Sequence, residues 1–233
     1  MRSEDRLKIQ NLDIFSQASD KTFDSLIGPG FFQRFPPGVV LVNENAMQDF
    51  LYILVDGQVE MYATSFGRET ILDIIQPVSL FILAAILNDD VCLQSARTLT
   101  EAQVLMIPSA RFREAIDNDT AFMHAVVREL SRRYRMTIKE LKNQKLRNGS
   151  ERLANWILAE ADTQVEANYI DIPFEKKLLA YKLGMTPENL SRAFATVAKH
   201  GVNVDGSRIV FTDRQRLINF AHPDKLIDKR EPV

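Results

Sequence analysis

Cysteine is almost missing from this chain of 233 residues: Cys92 stands alone. No disulfide framework can form within one chain, and no cysteine-built iron–sulfur cluster either. A reducing compartment fits, and the cytoplasm is the expected location. Histidine is scarce too, at three residues. No nucleophile–base pair, phosphate-cradling loop or paired-carboxylate constellation stands out, which argues against an enzyme. Metal-ligand spacing is absent, so no metal site is expected. The chain also lacks a strong charge of one sign. Its formal net charge is −2, so any contact with DNA must come from a local basic patch. The longest apolar run, near 78–87, is too short and mixed to span a membrane, so no membrane partner is expected. The charged opening MRSEDRLKIQ does not read as a signal peptide.

Proline and glycine are missing from one long stretch, Asp119 to Arg147. Such a run exceeds an ordinary globular helix. Met123, Val127, Leu130, Tyr134, Thr137, Leu141 and Gln144 recur at alternating spacings of four and three, which keeps one seam facing a partner. Residues 128–147 carry eight Lys and Arg against two Glu on the other faces. The stretch reads as a dimerising helix, with Met123, Val127, Leu130, Tyr134 and Leu141 as interface. A buried helix in a monomer is the competing reading.

Apolar residues make up 45% of the chain, enough for two domains with real cores. Residues 5–30 read as short helices, with Ser19-Asp20 capping one and Gly28-Pro29-Gly30 ending it. From Phe31 to Pro108 the pattern is that of strands and turns. Phe50–Val55 is a strand, Asp56-Gly57 a turn signal, Gln58–Tyr62 alternates polar and apolar, and Thr70–Ile75, Gln94–Thr98 and Ala102–Ile107 follow. Many short strands with regular turns predict an antiparallel sandwich or barrel. Pro77–Leu87 reads as partly helical, and Ser109–Asp117 as a short helix. Asn148-Gly149-Ser150 reads as a hinge, with Ser150 capping the helix 151–161. Ile170–Pro173 is a short extended piece.

The sharpest local pattern is Lys176–Ala193, KKLLAYKLGMTPENLSRA. Small Ala180 lets a second helix cross closely, and Gly184 permits a tight turn. Thr186 is an N-cap and Pro187 stands at the first helical position, where its missing N–H costs nothing. Leu190, Phe194 and Val197 give the second helix a buried side. That leaves Glu188, Asn189, Ser191 and Arg192 outside, and these residue types read base edges. Val202–Val204, Asp205-Gly206 and Ile209–Phe211 read as a β-hairpin wing. Lys176, Lys177, Lys199, His200, Ser207 and Arg208 are candidates for phosphate contact, and equally for solvated surface. Arg214–Ala221 is a last helix, and a loose charged tail follows.

Taken together, the chain resembles the CRP/FNR family of bacterial transcription regulators over nearly its whole length. The fold implied is α+β: a cyclic-nucleotide-binding-like antiparallel β-roll with N-terminal helices (1–117), a dimerisation helix (118–148) and a winged helix–turn–helix (149–233). By that resemblance the base-reading roles fall on Glu188, Ser191 and Arg192, in an arrangement closer to the FNR branch, with Asn189 and Thr186 beside them. The partners implied are an inverted-repeat duplex, a second copy of the chain and RNA polymerase, contacted as an activator. Gly38 and Gly57 echo the family's turn glycines, whereas Ala46 stands where glycine is usual. The effector pocket falls on Ser79, Gln94, Ser95 and His124. The nucleotide-binding members carry a Gly-Glu pair and an Arg-Ser there; this chain has Pro77-Val78-Ser79-Leu80 and Gln94-Ser95. A phosphate anion wants a bidentate Arg, so cAMP is not the expected ligand. The effector is left open. The chain is also similar to alphaproteobacterial regulators of nitrogen-oxide or metal-linked respiration genes, some of which bind haem. A haem-dependent gas or redox sensor is therefore one alternative, with His124 and Cys92 as the candidate ligands. A regulatory or scaffold protein that does not bind DNA is another.

Overall fold

The computed structural model describes residues 3–163, 168–172 and 175–229. Its compact units are two, one ending at Arg133 and the other beginning at Tyr134.

In the first unit, helix α1 (Ser3–Gln10) is followed by α2 (Asp20–Ile27), whose N-cap Ser19 accepts from the Thr22 amide. The strands are β1 (Phe31–Phe35), β2 (Val40–Val42), β3 (Phe50–Asp56), β4 (Val59–Ser65), β5 (Arg68–Ile75) and β6 (Ser79–Phe81). Helix α3 (Leu83–Asn88), strands β7 (Ser95–Thr98) and β8 (Ala102–Pro108), and helix α4 (Ser109–Asn118) complete the roll. Among the described residues the strands form two antiparallel sheets, ordered β1-β8-β3-β6 and β2-β7-β4-β5. Gly57 closes the β3–β4 turn at φ +87°, where an added Cβ would meet the Glu101 carbonyl at 2.2 Å, so only glycine fits. The turn that carries Ala46 solves the same problem with Asn45, at φ 62°; Asn tolerates the left-handed region better than most residues. The segment 77–87 is part helix, as expected, but it begins with the edge strand β6 on β3.

Helix α5 (Thr120–Leu146) has no glycine or proline to interrupt it. Asp119 begins it: its carboxylate accepts from the Phe122 amide at 3.0 Å, the Thr22 hydroxyl at 2.7 Å and both the amide and hydroxyl of Ser19 at 3.1 Å. These bonds tie α2 to α5 and hold the Asp119 carboxyl well below the usual carboxylate range, the Phe122 amide contributing most. Phe122, Ala125 and Val126 are buried, and Phe122 packs edge-on against Phe112 and stacks with Phe15. Buried Glu129 is held by Arg132 and Arg133, and Arg133 also donates to the Leu80 carbonyl at 2.8 Å.

The second unit begins within α5 and continues with α6 (Gly149–Ala161), β9 (Tyr169–Asp171), α7 (Lys176–Lys182) and α8 (Pro187–Val197). Then come β10 (Val202–Asp205), β11 (Arg208–Phe211), α9 (Arg214–Ala221) and α10 (Lys225–Asp228). The cap of α6 is Asn148 rather than Ser150: Asn148 Oδ1 accepts from the Glu151 amide at 3.0 Å, and the Glu151 carboxylate accepts from the Asn148 amide at 2.8 Å. This reciprocal box satisfies two orphan donors, which a lone serine two residues later could not do. The wing is a three-stranded sheet ordered β10-β11-β9, so the extended piece before α7 is part of it; Pro173 lies outside the described residues. As far as Lys229 the charged tail is not loose: it forms α10, with Lys139 of α5 bonded to Lys229 and Lys142 of α5 facing Asp224; residues 230–233 lie outside the described residues.

Candidate nucleic-acid interface

The helix–turn–helix forms from α7 and α8 because the chain places its smallest and most flexible residues where they cross. Leu179 and Ala180 are fully buried at the crossing. The turn closes with the Gly184 amide donating to Tyr181 O (2.8 Å) and the Met185 amide to Ala180 O (2.9 Å). Gly184 has φ +62°, and a Cβ there would stand 2.4 Å from the Gln144 Oε1 atom. Thr186 caps α8 through the Asn189 amide at 3.3 Å, with Pro187 at the first helical position. Leu190, Ala193, Phe194 and Val197 are buried. The 3.6-residue period then leaves Glu188, Asn189, Ser191 and Arg192 exposed, as the sequence predicts.

The electrostatics of that face suit base reading. The Glu188 carboxyl is held below its ordinary range by the hydrogen bond from its own backbone amide, then by the Thr186 hydroxyl, with Arg192 one turn on adding a smaller pull. Glu188 is thus an acceptor at neutral pH, and Arg192 a forked donor. Asn189 and Arg192 also line a groove of about 530 Å³ whose other wall is the first turn of α6, Asn148 to Ser150. That wall is announced in the sequence only by the N-x-x-E spacing of Asn148 and Glu151.

The predicted phosphate-contact residues divide. Lys177 and Lys199 are exposed. Arg208 is exposed but engaged: it forks onto Asp171 at 2.8 and 2.9 Å and lies 4.0 Å over the Tyr169 ring. His200 stacks on Phe220 at 4.1 Å instead of extending outward.

The predicted interface residues divide in their exposure within one chain. Val127, Tyr134 and Leu141 are 52%, 68% and 51% exposed. Leu130, however, packs against the roll core, and Met123 is half-buried. The apolar residue that completes the exposed stripe is Ile138. The stripe that the helix buries is Phe122, Ala125, Val126 and Glu129, and Leu130 lies at its edge, partly buried against the roll core.

In the roll, Ser79 lies half-buried on edge strand β6, while Ser95 is buried on β7 of the other sheet and accepts from the Glu44 amide at 2.9 Å. Gln94 is half-buried and His124 is exposed on α5. The roll's own arginine here is Arg97, and it is occupied: it pairs with buried Glu60 and with Glu69, and covers the Tyr62 ring at 4.5 Å. Cys92 is buried, which pushes its thiol up. No helix among the described residues is long and apolar enough to cross a membrane.

Residues 32–119 match the cyclic nucleotide-binding domain, and residues 151–220 match the Crp-like helix-turn-helix domain. The chain belongs to the CRP/FNR family of transcription regulators. As a CRP/FNR regulator it binds DNA through its helix–turn–helix. It is 26% identical over 190 residues to a CRP-like cAMP-activated global transcriptional regulator of Mycobacterium tuberculosis, covering 78% of this chain and 84% of that one. Its fold is similar to that of a CooA mutant from Carboxydothermus hydrogenoformans, with a TM-score of 0.70 at 16% identity, over 95% of this chain and 97% of that one. FixK2 from Bradyrhizobium japonicum is likewise similar, with a TM-score of 0.67 at 20% identity, over 82% and 96% of the two chains. The β-roll, long helix and C-terminal helix–turn–helix are the architecture of the CRP/FNR family.

Proposed function

We propose that this CRP/FNR regulator is a homodimeric activator that reads an inverted-repeat operator through α8 and does not take cyclic nucleotide in its roll. The observation that carries the reading is the α8 face. Glu188, Ser191 and Arg192 stand exposed on a helix whose cap, turn and buried side fix its orientation. Val127, Tyr134, Ile138 and Leu141 support the dimer, since an apolar stripe of this size facing water calls for a partner. Two such chains related by a two-fold would present their α8 helices to successive major grooves about 34 Å apart. In the FNR-like manner, the half-site would be TTG followed by A or C, with Arg192 on guanine O6/N7 and Glu188 on the cytosine amino group. RNA polymerase is the partner such an activator would engage.

Binding to a panel of single-base operator variants tests this. Arg192→Ala should cost about 1–3 kcal/mol on the cognate site and flatten preference at one base pair. Lys177→Ala should weaken all sequences alike and lower the salt slope by roughly one. Full discrimination retained by Arg192→Ala would rule out this docking of α8.

The negative reading of the roll rests on Gln94 and on the commitment of Arg97 to Glu60 and Glu69, which leaves that cation engaged by carboxylates. The name of the mycobacterial relative favours a second reading, in which cAMP is the effector. Calorimetry with cAMP decides between them: a micromolar dissociation constant would defeat the first.

A further inference from the structure

The segment after α9 lies past residue 220, where the match to the helix–turn–helix domain ends. It nevertheless makes some of the best-formed polar contacts in the second unit. Asp224 caps α10 through the Leu226 amide (2.8 Å), and its own amide donates to the Asp228 carboxylate (2.7 Å). Asp228 receives the Arg147 guanidinium on both oxygens, at 2.7 and 2.6 Å. The Arg147 side chain is only 7% exposed. Lys139 donates to the Lys229 carbonyl at 2.7 Å, and Lys142 stands 3.8 Å from Asp224.

Arg147 is the residue between the end of α5 and the Asn148 cap of α6. Its side chain grips the tail, while its carbonyl accepts from Arg152 Nη1 at 2.7 Å. The same Arg152 guanidinium reaches the helix–turn–helix turn, donating to Leu183 O at 2.8 Å and Gly184 O at 3.3 Å. Burial lowers the proton affinity of Arg152, opposed by the nearby Glu140 and Glu151 carboxylates. A continuous set of charge-assisted bonds therefore runs Asp228, Arg147, Arg152, Leu183 and Gly184. Its last members lie three and two residues before Thr186, the cap of α8. Bidentate guanidinium–carboxylate bonds fix angle as well as distance.

We infer that the C-terminal segment from Pro223 to Lys229 is a strap that positions the recognition helix, with Asp228 and Arg147 as its positioning residues. The strap rests on the reading of α8 as the DNA-contacting helix. It holds the α5–α6 corner, and through Arg152 the turn that carries α8, at the angle at which the exposed face meets DNA. Neither Asp228 nor Arg147 is needed at a base.

The sign of the effect separates positioning from charge. Removing an acidic residue from a DNA-binding protein should tighten binding to a polyanion if charge alone acts. The strap requires the opposite. The full chain and its Asp228→Asn variant are titrated with a duplex recovered by selection from random sequence with the unmodified protein. Asp228→Asn should weaken binding about tenfold. The double variant Asp228→Asn/Arg147→Gln should bind no worse than the weaker single one, because both remove one interaction. Equal or tighter binding by Asp228→Asn overturns the strap. A second measurement needs no DNA: the amides of Glu151 and Arg152 should exchange with deuterium about tenfold faster in Asp228→Asn. Unchanged exchange also overturns it. If the unmodified chain selects no sequence, the reading of α8 has failed by itself, and the exchange rates alone decide whether the strap holds the corner.

Discussion

The two halves of α5 are continuous in backbone and alike in composition, yet they do opposite things with their apolar residues. Up to Val126 the helix buries most of them: Phe122 is fully enclosed against Phe112 and Phe15, and Ala125 and Val126 are buried beside it. Beyond Arg133, Tyr134, Met136, Ile138, Leu141 and Leu146 all face outward. A four–three spacing describes both halves. It specifies that a stripe exists and leaves open whether the chain itself or another molecule covers it.

The contrast can be broken experimentally, most strongly in the buried half. Phe122→Ala should cost about 3–5 kcal/mol, because it removes a ring from a packed cluster and leaves a cavity. Denaturant unfolding of the roll checks this, and a loss under 1 kcal/mol would mean that the cluster collapses around the gap. In the outward half, Leu141→Asp should leave the melting temperature of a monomer nearly unchanged while abolishing association, since a charge in an apolar interface costs several kcal/mol. Sedimentation velocity reads this directly; a dimer surviving Leu141→Asp would mean that the stripe serves some other contact. Leu130→Asp is the informative hybrid. Leu130 packs on the roll core, so this change should destabilise the fold as well as association.

A smaller effect is expected where the halves begin. Asp119 joins Ser19, Thr22 and the Phe122 amide, and its carboxyl is held below its unfolded value. A group with a lowered folded pKa adds stability above its unfolded pKa of about 4, and that stability fades as pH falls below it. Asp119→Asn should therefore cost about 1 kcal/mol at neutral pH. The deficit should shrink as pH is lowered through the acid range. Urea midpoints measured across that range check it; a deficit constant with pH would show that the hydrogen bonds, and not the charge, carry the effect.

What the sequence made legible was local. The turn and cap of α8 follow from Gly184, Thr186 and Pro187, each with a backbone preference that acts within a few residues. The strands β3, β4, β5 and β8 follow from two-residue alternation and turn signals. What escaped was decided at a distance. Strand β6 exists because β3 offers an edge to pair with. Ile82 takes a left-handed φ of 57° between β6 and α3, which no property of isoleucine announces. Asn148 outcompetes Ser150 as cap because Glu151 reciprocates. The tail read as loose by composition, yet its carboxylates Asp224 and Asp228 meet Lys142 on α5 and Arg147 just beyond it, and its Lys229 carbonyl accepts from Lys139, all far away in sequence. In the roll, Gln94 was legible as a missing cation, but the engagement of Arg97 by Glu60 and Glu69 depends on sheet register.

The pairing of β1 with β8 also has a consequence in time. Phe31 finds its partner only at Met106, and β2 finds its own on β7. An emerging polypeptide would carry its first strands unpaired until most of the roll had been synthesised. The helix that carries Trp156 packs most on α8, over a shorter span of chain than β1 to β8, and closing long loops slows folding. Trp156 is the sole tryptophan of the chain, and it lies in the α6 core with Leu153 and Ile157. Its fluorescence is thus a private clock for that region, while circular dichroism records the whole chain. On dilution from denaturant the tryptophan signal should finish first and the β-sheet signal should lag; coincident traces would mean that the roll assembles as quickly as the helices, despite its wiring.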